Sequence, residues 1–338
     1  MSGFSAAEGT ASAAAVAEQP QSSGTHRALP VLVTGAAGFV GAHTCRMLVD
    51  CGWRVRAFVH HTARAARRLP GTRVEIVQGD VRDAGAVASA VRGVGAVVHL
   101  AAIAIERGGN TYEGVNTRGT EVVLAAATEA GVRRVVHMSQ NGASATSPYR
   151  FLRSKGLAED AVRASRTDWT VLRPSVIFGP EDEFVSVLAR LVRLSPFVYP
   201  LPGGGRTRFQ PVAVEDVARA ICDALDRPST IHAVLPLGGP AALTLRQMTE
   251  RVLLAMDTSR VLVGVPVWLL RPVVAIAQRL LPSPPVTTSL LDLLAVQNTV
   301  EPNALVDELG ITPTPFAPEE IRYLARITVG GALRSLFR

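Results

Sequence analysis

The segment VLVTGAAGFVG, residues 31–41, decides the fold of this 338-residue chain. An apolar run comes first, three glycines follow at the spacing GxxGxxG, and an apolar helical pattern begins among them. Gly35 allows a tight turn, Gly38 lets the backbone approach a pyrophosphate, and Gly41 lets the helix pack closely on the strand. The unpaired N–H groups at the start of such a helix favour a bound anion. The segment therefore predicts a strand, a phosphate-binding turn and a helix.

Beyond this segment, short β-rich apolar runs alternate with helical patterns as far as residue 179. Such alternation is typical of an α/β protein whose parallel sheet is covered by helices on both faces. We predict a doubly wound parallel Rossmann sheet with a smaller C-terminal α/β lobe. The predicted divisions are a disordered tail at 1–29, an NAD(P)-binding domain at 30–180, a substrate or partner lobe at 181–320 and an amphipathic basic tail at 321–338. Residues 212–226 are expected to pack back on the first domain, and an over-long gene start is an equal explanation of residues 1–29.

Composition narrows the class of protein. The chain has 35 Lys and Arg against 28 Asp and Glu, a net charge of +7, and 48% hydrophobic residues, which excludes global disorder. The arginines are scattered and aromatic residues make up only 5%, so nucleic acid is not an expected partner. Cys45, Cys51 and Cys222 fit neither a disulfide framework nor a metal site. This predicts a reducing, cytoplasmic compartment and no metal.

The segment expected to bind the adenosine ribose of the cofactor, residues 51–74, is basic. An NAD site carries Asp or Glu roughly 20 residues after the glycine turn, yet residues 51–74 contain no acid. They hold His60, His61, Arg64, Arg67 and Arg68 instead. A 2′-phosphate would find partners there, which favours NADP(H) as the cofactor, with NAD(H) less favoured. The alternative is that these arginines only solvate a helix face.

Several further motifs together carry a family resemblance. They are GD at 79–80, HLAA at 99–102, NTRGT at 116–120 and RPSVIFGPED at 173–182. With the glycine turn, they resemble extended or atypical short-chain dehydrogenases/reductases of the NAD-dependent epimerase/dehydratase type. The later segments FQPVAVEDVARAI, 209–221, and TTSLLDLLAVQNTV, 287–300, are similar to the branch that contains the nucleotide-binding accessory subunit of respiratory complex I.

The glycine pattern and the resemblance together predict a set of cofactor-binding residues. These are Gly35, Ala37, Gly38, Phe39, Val40, Gly41, His60, His61, Arg64, Asp80, Val81, Leu100, Ala101, Ala102, Asn116, Lys155 and Pro174.

The resemblance also implies an active site of Ser, Tyr and Lys, with Tyr four residues before Lys. Lys155 matches the lysine; it is the only lysine in the chain, beside 34 arginines, and lies in a helix predicted over 153–165. Ser139 matches the serine, and the alternative for Ser139 is an ordinary hydroxyl at the end of a strand. Phe151 stands where the tyrosine is expected and has no proton to give. Tyr149 is the remaining candidate acid. It lies six residues before Lys155, about 600° around a helix, and therefore off the Lys155 face unless the helix begins late.

Two functions remain open. The first is an NADP(H)-loaded scaffold or accessory protein of a respiratory or quinone-linked assembly. The second is a slow or atypical NADP-dependent reductase or epimerase that acts on a small carbonyl or quinone substrate. The apolar segment 261–282 and the tail 321–338 either pack in the second lobe and fray, or lie on a membrane surface or a protein partner. If these segments lie on a membrane surface, the protein is peripheral on the inner face of a membrane.

Overall fold

A seven-stranded parallel sheet forms the centre of the computed structural model, which describes residues 28–69, 71–294 and 296–337. Apart from Ala28 and Leu29, the predicted tail at 1–29 lies outside the described residues. The strands are β1 Val31–Thr34, β2 Val55–Val59, β3 Val74–Gln78, β4 Ala96–His99, β5 Arg134–Met138, β6 Asp168–Pro174, β7 Ile177–Phe178, β8 Val198–Pro202, β9 Arg208–Phe209, β10 Val212–Ala213, β11 Ala233–Leu237, β12 Leu243–Thr244 and β13 Val261–Val265.

The strand order in the large sheet is β11-β6-β5-β4-β1-β2-β3, with every neighbouring pair parallel. This is the doubly wound order, in which the order of the strands reverses between β1 and β4. Three two-stranded sheets lie outside it: β7 with β10 and β8 with β13, both parallel, and β9 with β12, antiparallel. The predicted fold class is therefore confirmed.

Helices cover both faces of the large sheet and also build the second lobe. They are α1 Phe39–Asp50, α2 Thr62–Arg68, α3 Ala84–Val91, α4 Gly119–Glu129, α5 Arg150–Ala164, α6 Val185–Leu194, α7 Val214–Asp226, α8 Leu245–Ala255, α9 Val267–Leu280, α10 Thr288–Leu293, α11 Ala304–Asp307 and α12 Val329–Ser335. A π-helical turn, Glu113–Arg118, leads into α4.

Residues of β1 alternate between two cores, which explains why the strand is apolar throughout. Val31 and Val33 are buried with residues of α1 and α7, whereas Leu32 is buried with residues of α3 and α4. A strand that is covered on both faces reads as a continuous hydrophobic run. Helix α7 packs against α1, and β11 supplies the edge strand next to β6, so the sheet takes elements from beyond residue 180.

The second lobe has its own core, centred on α6, α8 and β8. Ile321 and Leu324, which the sequence placed in the basic tail, are fully buried in this core. Tyr323 fixes the same segment, because its hydroxyl donates to the Asp182 carboxylate at 2.8 Å and accepts from the Gly179 amide at 3.1 Å. Residues 321–324 therefore belong to the second lobe, and α12, which follows Thr328, packs against α6 with Ala332 fully buried.

The close packing of α1 on β1 generates a stability prediction. A Cβ atom at Gly41 would overlap the Gly35 carbonyl oxygen and would lie 2.8 Å from Ala36 Cα. Gly41→Ala should lower the free energy of unfolding by about 1–3 kcal/mol, the usual cost of overpacking. Gly330→Ala in α12 is the matched control, because a Cβ there meets no atom within 4 Å. Urea denaturation checks both, and equal stability of the two variants would contradict the packing account.

Candidate cofactor site

The carboxyl ends of β1, β4, β5 and β6 meet at one edge of the sheet. The residues that follow them are Gly35, Leu100, Ser139 and Ser175, so the parallel topology alone brings four of the sequence motifs together. In open parallel sheets, ligands bind at this edge, at the point where the strand order reverses. The candidate site therefore lies between β1 and β4.

The glycine turn follows β1 as predicted. Gly35 has a φ of +67° and a Cβ there would lie 2.8 Å from the Ala101 amide nitrogen, so the turn and the loop after β4 touch through backbone. The Gly38 amide donates to the Gly35 carbonyl at 2.8 Å, which closes the turn. Glycine at position 35 is therefore required for this close approach, because a side chain there would collide with the backbone of the loop after β4.

The first turn of α1 has free N–H groups. Gly38 is its N-cap, with no side-chain cap and no acid in the first turn, and Ala37 and Val40 are largely buried while Phe39 is partly so. Such an end carries partial positive charge. Together with the small residues of the turn, it fits the pyrophosphate of a dinucleotide.

The loop after β4 is held by Thr34, the residue that precedes the glycine turn. Its hydroxyl oxygen accepts from the amides of Leu100 and Ala101, at 3.2 and 3.3 Å. Its hydroxyl also lies 2.7 Å from His99 Nδ1. The sequence analysis gave Thr34 no role, although a hydroxyl directly before the first glycine was a readable signal.

The buried His99 ring fixes the direction of these hydrogen bonds. Thr120 donates its hydroxyl proton to the Asn116 carbonyl at 2.6 Å, so its oxygen accepts from His99 Nε2 at 2.9 Å. Nδ1 is then unprotonated and accepts from Thr34. Burial, followed by the Lys155 charge, lowers the pKa of His99 to about 3, which keeps the ring neutral.

The Asn116 side chain also binds the loop after β4. Its side chain accepts from the Ile103 amide at 2.8 Å and donates to the Ile103 carbonyl at 3.1 Å and to Ser154 Oγ at 3.0 Å. The predicted part of Asn116 in cofactor binding would thus be exerted through the loop, whereas Ala102 is exposed at the site edge.

The basic segment after β2 lies where the sequence predicts the adenosine ribose of the cofactor. His60, His61 and Arg64 are exposed, and His60 Nε2 lies 3.6 Å from an Asp80 oxygen. Asp80 itself accepts two hydrogen bonds from the Arg82 guanidinium, at 2.6 and 3.0 Å, and these lower its pKa to about 2. A charged carboxylate is therefore retained after β3. Its neighbour Val81 is buried against Gly119 at the start of α4.

Arg68 reaches the glycine turn itself. Its Nη1 donates to the Ala37 carbonyl at 3.1 Å, and its Nη2 lies 2.5 Å from the Glu181 carboxylate. The sequence analysis counted Arg68 in the basic segment but did not place it among the site residues. Arg64 and Arg68 are four residues apart on α2 and share a face, which was the available signal.

Lys155 is buried in α5, with 4% of its surface exposed. Its ammonium group donates to the Met138 carbonyl at 2.6 Å, directly before Ser139. Burial lowers the pKa of Lys155 to about 8, and the negative charge of Glu159, one turn further on, opposes that shift. Glu159 is also buried and is bound by Arg173 through two hydrogen bonds of 2.8 Å. The charge of Lys155 is therefore part of a buried network.

Ser139 carries an unsatisfied polar atom. The residue is 3% exposed, and its Oγ has no hydrogen-bond partner in the parts of the chain that the structure describes. Its backbone amide donates to the Leu172 carbonyl at 2.8 Å. Buried hydroxyls without partners are rare. The Ser139 hydroxyl thus fits a polar group of a ligand at the sheet edge, the position predicted for it.

Both ring nitrogens of His137 also lack partners within the described ranges. The ring stacks on His99 with centroids 5.3 Å apart, and burial lowers its pKa well below the usual value. His137 is therefore a neutral core side chain beneath Ser139.

Helix α5 begins at Arg150, three residues earlier than predicted, so Phe151 and Lys155 lie one turn apart within it. Tyr149 is the N-cap and lies outside the helix. The Phe151 ring packs edge-on against Tyr112, with centroids 5.7 Å apart. The Tyr112 hydroxyl donates to the Ala104 carbonyl at 2.8 Å, and burial raises its pKa.

The second lobe reaches the same edge through Asn298 and Thr299. The Asn141 side chain donates to the Asn298 side chain and to the Thr299 carbonyl, both at 2.9 Å. The backbone amide of Asn141 donates to the Pro174 carbonyl at 3.0 Å. Ser175 donates to the Asn298 carbonyl at 2.6 Å. The sequence analysis quoted this segment without a role, and no local pattern predicted its position.

The geometry defines a dinucleotide-binding α/β protein, and comparison with known proteins agrees. A family model described as NAD(P)H-binding matches residues 35–228. The chain is 30% identical over 309 residues to NADH dehydrogenase (ubiquinone) 1 alpha subcomplex subunit 9, mitochondrial, of Rattus norvegicus; the match covers 87% of this chain and 79% of that protein. The chain belongs to the NAD(P)H-binding, short-chain dehydrogenase/reductase-like family, and the predicted resemblance is confirmed.

Two further relatives match over shorter lengths. The Arabidopsis thaliana protein of the same name is 33% identical over 224 residues, which are 64% of this chain and 56% of that protein. A ceramide reductase from Caulobacter vibrioides is 32% identical over 194 residues, which are 56% of this chain and 58% of that protein. The chain thus matches little more than half the length of these two relatives.

Solved structures show the same fold. A dTDP-glucose 4,6-dehydratase from Streptomyces venezuelae has a TM-score of 0.66 at 23% identity, covering 88% of this chain and 96% of that one. A UDP-glucose 4-epimerase from Thermus thermophilus has a TM-score of 0.66 at 21% identity, covering 90% and 99%. At these identities the likeness concerns the fold.

The buried ammonium group predicts a pH dependence of stability. The pKa of Lys155 is near 8 in the folded chain and about 10.5 when unfolded, so between these values the unfolded chain binds more protons. The free energy of unfolding of the wild type, measured relative to Lys155→Met, should rise with pH across this window by on the order of 3 kcal/mol. Denaturant melts at pH 7.5 and 10.5 check this, and a difference that stays constant would contradict the burial of a charged Lys155.

Proposed function

We propose that the chain is an NADP(H)-bound protein that lacks the tyrosine acid of its family. In this role it is a cofactor-loaded scaffold or accessory protein of a respiratory or quinone-linked assembly. The observation that carries the proposal is Phe151, which lies one turn before Lys155 on α5. A bound nicotinamide dinucleotide would supply a hydride. The product of hydride transfer to a carbonyl needs a proton, and positioned acids contribute typically 10²–10⁴-fold to the rate.

Neither nearby tyrosine replaces the missing acid. The Tyr112 hydroxyl donates its proton to the Ala104 carbonyl, and Tyr149 precedes the helix on which Lys155 lies. Lys155 and Ser139 remain as a cradle: the ammonium group would hold hydroxyl groups of the nucleotide, and the Ser139 hydroxyl would satisfy a polar group beside it. This arrangement supports retention of the cofactor rather than rapid turnover.

The proposed partner follows from the relatives. The rat and Arabidopsis proteins are named as subunits of a ubiquinone-linked NADH dehydrogenase. An accessory role in such an assembly suits a chain that retains the cofactor cradle without the tyrosine. We place the protein in the cytoplasm, peripheral on the inner face of the membrane.

The preference for NADP(H) is supported by Arg68. Its guanidinium lies at the glycine turn through the Ala37 carbonyl, and its second arm is paired with a carboxylate, Glu181, that is itself largely exposed. A 2′-phosphate near this turn would offer the planar guanidinium of Arg68 a partner with a larger negative charge than a carboxylate. No carboxylate occupies residues 51–74 to bind a free 2′-hydroxyl.

Arg68→Ala should therefore weaken NADPH binding about tenfold or more, since hydrogen bonds to charged groups contribute about 1.5–3 kcal/mol. NADH binding should change little, because NADH lacks the 2′-phosphate. Fluorescence titration with both nucleotides measures this, with Arg67→Ala as the control on the same helix. Equal affinity of the wild type for both nucleotides would contradict the NADP preference.

A slow or atypical NADP-dependent reductase or epimerase, acting on a small carbonyl or quinone substrate, is the second candidate. It is favoured by the Ser139 hydroxyl, which has no partner in the described part of the chain, and by the buried Lys155, whose pKa of about 8 lets it release a proton near neutral pH. A water held by this pair would then act as the acid. One relative, named a ceramide reductase, is consistent with reduction of a carbonyl compound.

Phe151→Tyr tests the missing acid that both candidates assume. The change places a hydroxyl one turn before Lys155, and NADPH consumption with a panel of ketones and quinones should rise by about 10²-fold or more if the acid is what the site lacks. Phe151→Leu is the matched control without a hydroxyl. The account of the site is wrong if the wild type already turns over at ordinary rates of about 1–10³ s⁻¹ and Tyr149→Phe leaves that rate unchanged.

A further inference from the structure

Helix α9 leaves an apolar stripe in solvent. No residue of α9 is buried, although Val267, Leu270 and Val274 contact the core of the second lobe. Four residues on the outer side, Leu269, Val273, Ile276 and Leu280, are 49%, 63%, 60% and 74% exposed. At 100° per residue these four fall within an arc of about 60°, so they form one continuous line along the helix. One side of the apolar segment 261–282 therefore packs on the second lobe, and the other side faces solvent.

The exposed apolar area continues on both sides of α9. Strand β13 directly precedes the helix and exposes Val261 and Val263, and the Val261 amide donates to the carbonyl of Phe197, a residue that is 78% exposed. At the other end, the Ser283 amide donates to the Leu336 carbonyl at 3.1 Å, which holds the end of α12 beside the end of α9. We call α9, β13 and the exposed side of α12 together the α9 surface. Contiguous exposed apolar patches of this kind mark interaction sites.

The charges on the α9 surface have one sign. Residues 258–291 contain Arg260, Arg271 and Arg279 but no acid, and no acid follows Glu320, whereas Arg334 lies in α12. Arg271 is paired with Asp292 at 3.2 Å, whereas Arg260, Arg279 and Arg334 have no acidic partner among the described residues. Within the described ranges, no helix has both the length and the hydropathy needed to cross a bilayer.

We propose that the α9 surface docks on an anionic lipid bilayer, with α9 lying in the plane of the headgroups. An apolar stripe along a whole helix, flanked by arginines and with Trp268 74% exposed, has the composition of an interfacial helix. Arginines beside the stripe are attracted to anionic headgroups. A protein partner of ordinary polarity would not require that the three elements of this surface carry arginines and no acid of their own. The inference deepens the proposed peripheral location and uses no part of the nucleotide site.

Vesicle flotation of the full chain tests the proposal. The wild type should float with vesicles of equal parts phosphatidylcholine and phosphatidylglycerol, and much less with phosphatidylcholine alone. Ile276→Asp combined with Leu280→Asp should abolish flotation, because it places charge in the apolar stripe. Arg279→Gln combined with Arg334→Gln should weaken binding about thirtyfold, since each arginine near the surface contributes about a factor of five.

Two controls in the first lobe keep the result interpretable. Leu157→Asp and Arg166→Gln alter exposed residues at α5 and should leave flotation unchanged. NADPH titration of every variant shows whether the cofactor site is intact, so loss of lipid binding is separated from loss of the proposed nucleotide function. The proposal is overturned if the wild type ignores anionic vesicles or if the stripe variant floats as well as the wild type. It is also overturned if the stripe variant converts a dimer to a monomer in sedimentation without lipid, which would make the surface an interface between copies.

Discussion

The close approach of α1 to the end of β1 is the constraint on which the rest of the site depends. A side chain at Gly41 would overlap the Gly35 carbonyl, and one at Gly35 would lie 2.8 Å from the Ala101 amide nitrogen. Glycine at both positions lets β1, α1 and the loop after β4 meet through backbone. That contact leaves the first N–H groups of α1 uncapped by side chains at the edge where β5 and β6 also end. Backbone packing thus positions the phosphate site, and side chains act only at its two ends.

The two ends of the site differ in how their charges are held. At the adenosine end, Arg68, His60 and Asp80 are accessible to solvent and paired across short distances, so a ligand can exchange those pairings. At the opposite end, the buried Lys155 donates to the Met138 carbonyl and lies one turn from the buried Glu159, which the partly exposed Arg173 binds, so this network is largely shielded from solvent. This network explains why a lysine is kept at a position whose tyrosine partner is absent: the ammonium group is fixed by the fold as well as by a ligand.

Local signals predicted the first half of the fold well, because glycine spacing and alternating apolar runs act over a few residues. The start of α5 was predicted three residues late, since Arg150 to Leu152 carry no helical signature of their own, and this hid that Phe151 lies inside the helix. The contact of Arg68 with Ala37 and the pairing of Asn141 with Asn298 are tertiary contacts across 31 and 157 residues; the spacing of Arg64 and Arg68 indicates a shared helix face but not the partner that Arg68 meets. Hydropathy marked residues 261–282 as unusual, but the side of α9 that faces solvent follows only from how the second lobe packs.

The central claim is that the chain holds a reduced NADP cofactor that it does not turn over rapidly. The most direct measurement is mass spectrometry of the nucleotide that co-purifies with the protein, followed by stopped-flow absorbance of the bound nicotinamide after mixing with quinones and ketones. The account predicts NADP(H) in the preparation and a nicotinamide absorbance that persists through mixing. Oxidation of the bound cofactor at ordinary enzyme rates, or a chain that binds neither NADPH nor NADH, would contradict it.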